Sequence, residues 1–204
     1  MLVGSPYGLA VNPSLPVNSL KELLAYAKGN PNKFNYAMLG TGSASHLAGE
    51  YFKLLTKIDM VHVPYKGTGP AMISMISGQT TMTITGMVAL MPHVKSNRLK
   101  LLGVATMKRL SIMPDIPTIS EAGLKGYESE GWHGLFTPAG TPKPAIDRLY
   151  REISTLLRDQ KINGLLAAGG AEPVGMSPEE FGRKLNLEIE KWAKVVKASG
   201  MKVD

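Results

Sequence analysis

Apolar positions along the chain fall into short runs that switch between helical and strand periods. Leu20, Leu23, Leu24 and Ala27 share one face of "LKELLAYAKGN", with Ser19 and Glu22 forming a capping box before it and Gly29 supplying a stop. "KFNYAML" (33–39) reads as a strand that breaks at Gly40, and the helix after it carries Leu47, Tyr51, Leu54 and Leu55 on one side. The unit then returns. "DMVHVPY" (59–65) alternates with period two, Pro70 suits the first helical position of "AMISMIS", and Gly78 ends that helix. "TTMTIT" (80–85) is a third strand, Gly86 opens the helix "MVALMPHVKS", and "KLLGVAT" (100–106) closes the series. Strand, glycine turn and helix, repeated three times, predict an α/β fold with a mainly parallel sheet covered on its faces.

Beyond residue 107 the texture changes to a Pro- and Gly-rich connector, with a strand expected near "WHGLFTP". Two amphipathic helices follow. Thr141 is expected to cap "PKPAIDRLYREISTLLRD", whose buried face is expected to be Ile146, Leu149, Tyr150, Ile153, Leu156 and Leu157. Ser177 and Glu180 form a capping box before a helix striped by Phe181, Leu185, Ile189, Trp192 and Val196. The chain therefore divides into a lobe ending near residue 128 and a smaller, mostly helical piece, 129–204.

Composition narrows the chemistry. No cysteine is present, which removes disulfides, thiolate catalysis and thiolate metal sites. No apolar run reaches membrane-spanning length, and the opening residues lack the basic start and long apolar core of a signal peptide. The net charge of +7 suits an anionic partner. The basic residues are scattered, with no aromatic-and-basic stripe, so nucleic acid is not expected as a partner. The methionine-rich run 71–91 reads as gap-filling core rather than as a metal site.

Three glycine turns gather at one sheet edge in such a fold: "GTGSAS" (40–45), "YKGTGP" (65–70) and "TGM" (85–87). Helix starts there offer free N–H donors and partial positive charge, and Ser43, Ser45, Thr68 and Thr85 add hydroxyls beside Tyr65 and Lys66. This favours an anion with oxygen acceptors. Plainer roles stand beside that one: Ser43 as an N-cap, His46 as loop packing, His62 as structural, Lys66 as solvated surface. Catalysis lacks support. Ser45 occupies the third glycine position of a dinucleotide fingerprint, no Gly-Lys-Ser/Thr forms a phosphate loop, and Ser43 is in no Gly-x-Ser-x-Gly elbow. A Ser43–His46 pair has no evident third partner.

"LAVNPSLPVNSLKELLAYAKGNPNKFNYAMLGTGSASHLAGEYFK", "HVPYKGTGPAM", "PHVKSNRLKLLGVAT", "GYESEGWHGLFTPAGTP" and "EPVGMSPEEFGRKLNLEIEKW" occur in order along the chain. Together they resemble the tripartite tricarboxylate transporter substrate-binding receptors, the TctC-like or Bug-type extracytoplasmic proteins. The resemblance implies a type II-like periplasmic-binding-protein fold of two lobes, 10–128 and 129–204, with 1–9 as the crossing strand and hinge. It implies capture of a small organic carboxylate for membrane transporter subunits, with no catalysis, cofactor or metal. Its ligand contacts fall on Thr41, Gly42, Ser43, Ala44, Ser45 and His46, on Tyr65, Lys66, Gly67 and Thr68, and on Thr85 and Gly86.

Members of that family normally carry a signal peptide and more of the other lobe ahead of the point where this sequence starts. On that basis the second lobe is expected to be incomplete, with its helices lacking the sheet they cover. Exposed apolar area then predicts self-association, and a self-associating module without solute binding is the alternative reading. The family resemblance implies a periplasmic location; the lack of a signal in these residues implies a cytoplasmic one if they are the full product.

Overall fold

The computed structural model describes residues 1–31 and 33–201; residues 202–204 of the predicted C-terminal piece lie outside them. Its larger sheet is built from β2 (Tyr7–Val11), β3 (Asn35–Met38), β4 (Val61–Pro64), β5 (Met82–Gly86) and β6 (Lys100–Val104), in the order β4-β3-β5-β2-β6. The predicted parallel core is present, since β3 runs parallel to both β4 and β5. One strand departs from it. β2 is inserted between β5 and β6 and is antiparallel to both, so the sheet is mixed. Leu9, Ala10 and Val11 are fully buried there, as a strand with neighbours on both edges and helices on both faces requires.

Period-two alternation sorts the sheet residues between two cores. Leu9, Tyr36, Met38 and Ile84 pack under α1 (Leu20–Gly29) and α2 (Ala44–Thr56). Ala10, Ala37 and Val104 face α3 (Thr68–Ser77) and α4 (Met87–Lys95), whose Met72, Met75, Met87 and Met91 fill that side.

The local signals place most helix ends, with shifts of a turn or less. Ser19 accepts from the Glu22 amide, while the Glu22 carboxylate reaches the Asn18 amide at 2.8 Å rather than that of Ser19 itself. Gly78 closes α3 in the left-handed conformation. Pro70 is the third residue of α3, because Gly67, at φ +108°, ends the preceding loop earlier than the Pro signal suggests. In α2 the buried face is Ser45, His46, Ala48, Gly49 and Phe52. The expected stripe of Leu47, Tyr51, Leu54 and Leu55 is only half buried or exposed. The small residues win the sheet side because they let the helix settle onto the Tyr36 ring.

The smaller sheet is β7 (Gly131–His133), β1 (Val3–Ser5) and β8 (Glu172–Pro173), with β1 antiparallel to both neighbours. The chain thus passes from one sheet to the other at Pro6, between β1 and β2. It passes back ahead of β7, where the Ser129 amide donates to Ala105 O. α5 (Lys143–Leu156), α6 (Gln160–Ala168) and α7 (Pro178–Ser199) complete this part. Thr141 does not cap α5. Its hydroxyl donates to Pro138 O, and Pro142 holds the cap position without a side-chain bond. α6 was not evident in the sequence, where Gly164 interrupts its period; Asp159 caps it. The Ser177–Glu180 capping box of α7 is fully formed.

Neither α5 nor α6 buries a single residue, and Leu135, Phe136, Leu149, Leu156 and Leu165 stand exposed. α7 instead packs on α2, bringing Trp192 edge-on to Tyr51, which stacks on Tyr127. No helix among the described residues is long and apolar enough to cross a membrane.

Candidate functional site

The C-terminal ends of β3, β4 and β5 deliver the chain to the starts of α2, α3 and α4 along one edge. Gly40 and Gly42, both at positive φ, make the sharp turn into α2. Ser43 caps that helix by accepting from the His46 amide, and its hydroxyl donates to Gly40 O at 2.8 Å. Ser45 is buried and accepts from the Leu39 amide at 2.9 Å. His46 turns Nδ1 to the Gly42 amide at 3.2 Å. The polar side chains of this turn are therefore spent on shaping it. The amides of Ala44 and Ser45 donate to no acceptor among the described residues, which leaves them available at the positive end of α2.

Beside this edge lies a cleft of about 840 Å³. Of the residues expected to bind ligand, Ala44, Thr68, Thr85 and Gly86 line it, together with Leu39, Leu47, Val88 and Ala89. Thr41 is exposed on the turn, and Gly42, Ser43, Ser45 and His46 stand behind the lining. Tyr65 pairs its hydroxyl with Ser74, which passes the bond to Thr80 at 3.0 Å. Lys66 and Gly67 are exposed on the same loop. The structure thus brings the three turns together, with backbone and threonine hydroxyls foremost.

The rest of the cleft comes from residues that the sequence reading did not single out. Ser5 and Tyr7 line it from the crossing strand pair, and burial raises the Tyr7 hydroxyl's pKa, keeping it a donor. The facing wall is Ser129 to His133 with Leu185, Glu188, Ile189 and Trp192 of α7. Glu130 and Glu188 both approach Lys184, at 3.4 and 3.8 Å, and the Trp192 indole donates to Glu188 at 2.7 Å. The i,i+4 spacing of Glu188 and Trp192 was the available signal that both share one side of α7.

Behind α2, the ligand-capable atoms of His46, Glu50 and His62 lie within 4.8 Å of one another. His46 Nδ1 accepts from the Gly42 amide and its Nε2 stands 3.7 Å from Glu50; His62 Nδ1 meets the same carboxylate oxygen at 2.9 Å. His62, which the sequence reading took as structural, thus holds Glu50 and packs edge-on against His46 in the first turn of α2.

An α/β fold with a cleft between two sheets, joined by strands that cross from one to the other, defines the class of two-lobed binding proteins. The tripartite tricarboxylate transporter family receptor profile matches residues 1–201, and the chain belongs to that family. BugT of Bordetella pertussis is 33% identical over 198 residues, covering 97% of this chain and 61% of BugT. The chain spans about 60% of the length of the curated relatives it matches. Among solved structures, an R. palustris protein with adipate superposes with a TM-score of 0.89 at 34% identity, covering 98% of this chain and 67% of that one. MatC from Rhodopseudomonas palustris with bound malate gives 0.82 at 30% identity, over 95% and 67%. The periplasmic binding protein BugD gives 0.85 at 32% identity, over 98% and 68%.

Proposed function

We propose that this chain captures a small carboxylate-bearing organic anion in the cleft, as the solute-binding part of an extracytoplasmic receptor serving tripartite-type membrane transporter subunits. One observation carries the reading: the starts of α2, α3 and α4 converge on the cleft, with the free Ala44 and Ser45 amides at the start of α2 and the Thr68 and Thr85 side chains beside them. Relatives solved with adipate and malate lend it support. The reading takes 10–128 and 129–204 as the lobes and 1–9 as the crossing strand. The ligand contacts are the amides and hydroxyls of the three turns, the Thr41–His46 and Tyr65–Thr68 loops being held in shape for that purpose. Closure about the crossing strands would present the loaded form to the transporter.

Thr68→Asp separates this role from a structural one. Thr68 is the first residue of α3, where a carboxylate favours the helix by about 0.3–1 kcal/mol. The variant is expected to melt no lower than the wild type, yet to lose at least about tenfold in carboxylate affinity, because its own anion occupies the ligand's place. Isothermal titration with adipate and malate measures this. Unchanged affinity in the variant, or no heat from the wild type with any of adipate, malate, hexanoate and 6-aminohexanoate at about 10 mM, contradicts the reading.

A second reading, self-association without solute binding, is favoured by the exposed Leu135 and Phe136 after β7 and Leu149 and Leu156 on α5. Light scattering across a concentration series distinguishes the two. Growth of mass with concentration supports association; a constant monomer mass removes it.

A further inference from the structure

We propose, building on the carboxylate reading, that Glu130 and Glu188 set the ligand's charge: the cleft favours a carboxylate whose far end is cationic over a dicarboxylate. The two walls of the cleft are electrostatically unlike. One presents the helix starts at Ala44, Thr68 and Gly86; the other presents two carboxylates. Among the described residues no lysine or arginine lines the cleft, although the chain carries a net charge of +7.

Among the described residues Lys184 is the cation shared by Glu130 and Glu188, approaching from outside the lining; burial raises the Glu130 pKa and Lys184 offsets part of that rise, which leaves two carboxylates against one cation at this wall. Both glutamates are largely buried, with side chains 20% and 14% exposed, which weakens screening by water. They are also held in place: Glu188 by the Trp192 indole at 2.7 Å, Glu130 by the backbone that enters β7. A second ligand carboxylate reaching this wall meets like charge, whereas an ammonium group meets two acceptors beside the Tyr7 and Trp132 rings. The matching ligand class is an ω-ammonio carboxylate, its anionic end on the helix starts and its cationic end on the glutamates.

Three six-carbon probes that differ only at the far end test this: hexanoate, adipate and 6-aminohexanoate, titrated calorimetrically into the full chain. The wild type is expected to bind 6-aminohexanoate at least about tenfold more tightly than adipate, with hexanoate between them. In Glu130→Gln/Glu188→Gln that ratio is expected to fall to about one, while hexanoate affinity stays within about twofold and so reports an intact fold and anion end. Adipate binding as tightly as 6-aminohexanoate in the wild type, or an unchanged ratio in the double variant, overturns the proposal and leaves the carboxylate reading standing. Failure of all three probes to bind the wild type removes the carboxylate reading and this inference together. Should the double variant lose hexanoate binding, Glu188→Gln alone must lower the ratio by about threefold, and no shift there overturns the proposal.

Discussion

Gly49→Ala is expected to lower the unfolding free energy by about 2–3 kcal/mol, although alanine in a helix interior ordinarily gains about 1 kcal/mol over glycine. A Cβ at position 49 would stand 2.5 Å from Cε1 and 2.7 Å from Cζ of Tyr36. That ring is fully buried and cannot withdraw cheaply. Its hydroxyl donates to Ser45 O at 2.6 Å and accepts from the Ile84 amide at 3.3 Å. Those bonds also hold the first turn of α2, so the variant should bind carboxylates more weakly as well as unfold earlier. Gly164→Ala in α6, where an added Cβ meets nothing within 4 Å, provides the contrast and should stabilise by up to about 1 kcal/mol. Urea denaturation of the two variants measures both effects. Equal stability of Gly49→Ala and wild type would mean that the Tyr36 ring is not fixed as described.

Acidification should release the second large effect, through His62. Burial of its ring, followed by the neighbouring His46 and Lys53, lowers its pKa to about 4 from an ordinary value of 6.5. The unfolded chain therefore binds this proton more readily than the native one. Stability from the neutral ring is complete above about pH 6.5, declines as the pH falls toward 4, and is lost below that. Two and a half pKa units correspond to about 3 kcal/mol at most, and partial solvent exposure together with the Glu50 carboxylate at 2.9 Å, which favours the charged ring, brings the expected loss to about 1–2 kcal/mol. His62→Gln keeps a donor for Glu50 and does not titrate. The stability difference between wild type and variant is expected to shrink or reverse by about that amount between pH 7 and pH 4. Parallel stability curves for the two proteins would rule out His62 as the titrating group.

What the sequence disclosed followed from how local each cause is. Ser19, Ser43 and Ser177 act on amides two or three residues away, so these helix starts were legible. Thr141 and Pro70 were misplaced by the same reasoning. Where a helix begins there depends on how the preceding loop leaves its strand, and Gly67 decides it for α3. The parallel order of β4, β3 and β5 followed from strand-turn-helix repetition, but the antiparallel insertion of β2 is a contact between residues 7–11 and 82–104 that no local pattern encodes.

The site divides along the same line. The turns at 40–46, 65–68 and 85–86 were readable because each is a contiguous glycine-bearing stretch. Its other wall was not, because Tyr7, Glu130 and Trp192 converge only after the chain has crossed between sheets and α7 has returned onto α2. The stripe of α5 was expected as a buried face, yet no residue of α5 is buried among those described, and Leu149 and Leu156 stand exposed.

Trp132 and Trp192 are the chain's two tryptophans, and both line the cleft, so indole emission reports its occupancy without a label. Titrating adipate into the wild type is expected to give a saturable change in emission, which Thr68→Asp shifts to at least about tenfold higher ligand concentration. A wild-type spectrum that stays unchanged to about 10 mM adipate, malate and 6-aminohexanoate, or a variant that saturates at the same concentrations as wild type, would contradict carboxylate capture at these helix starts.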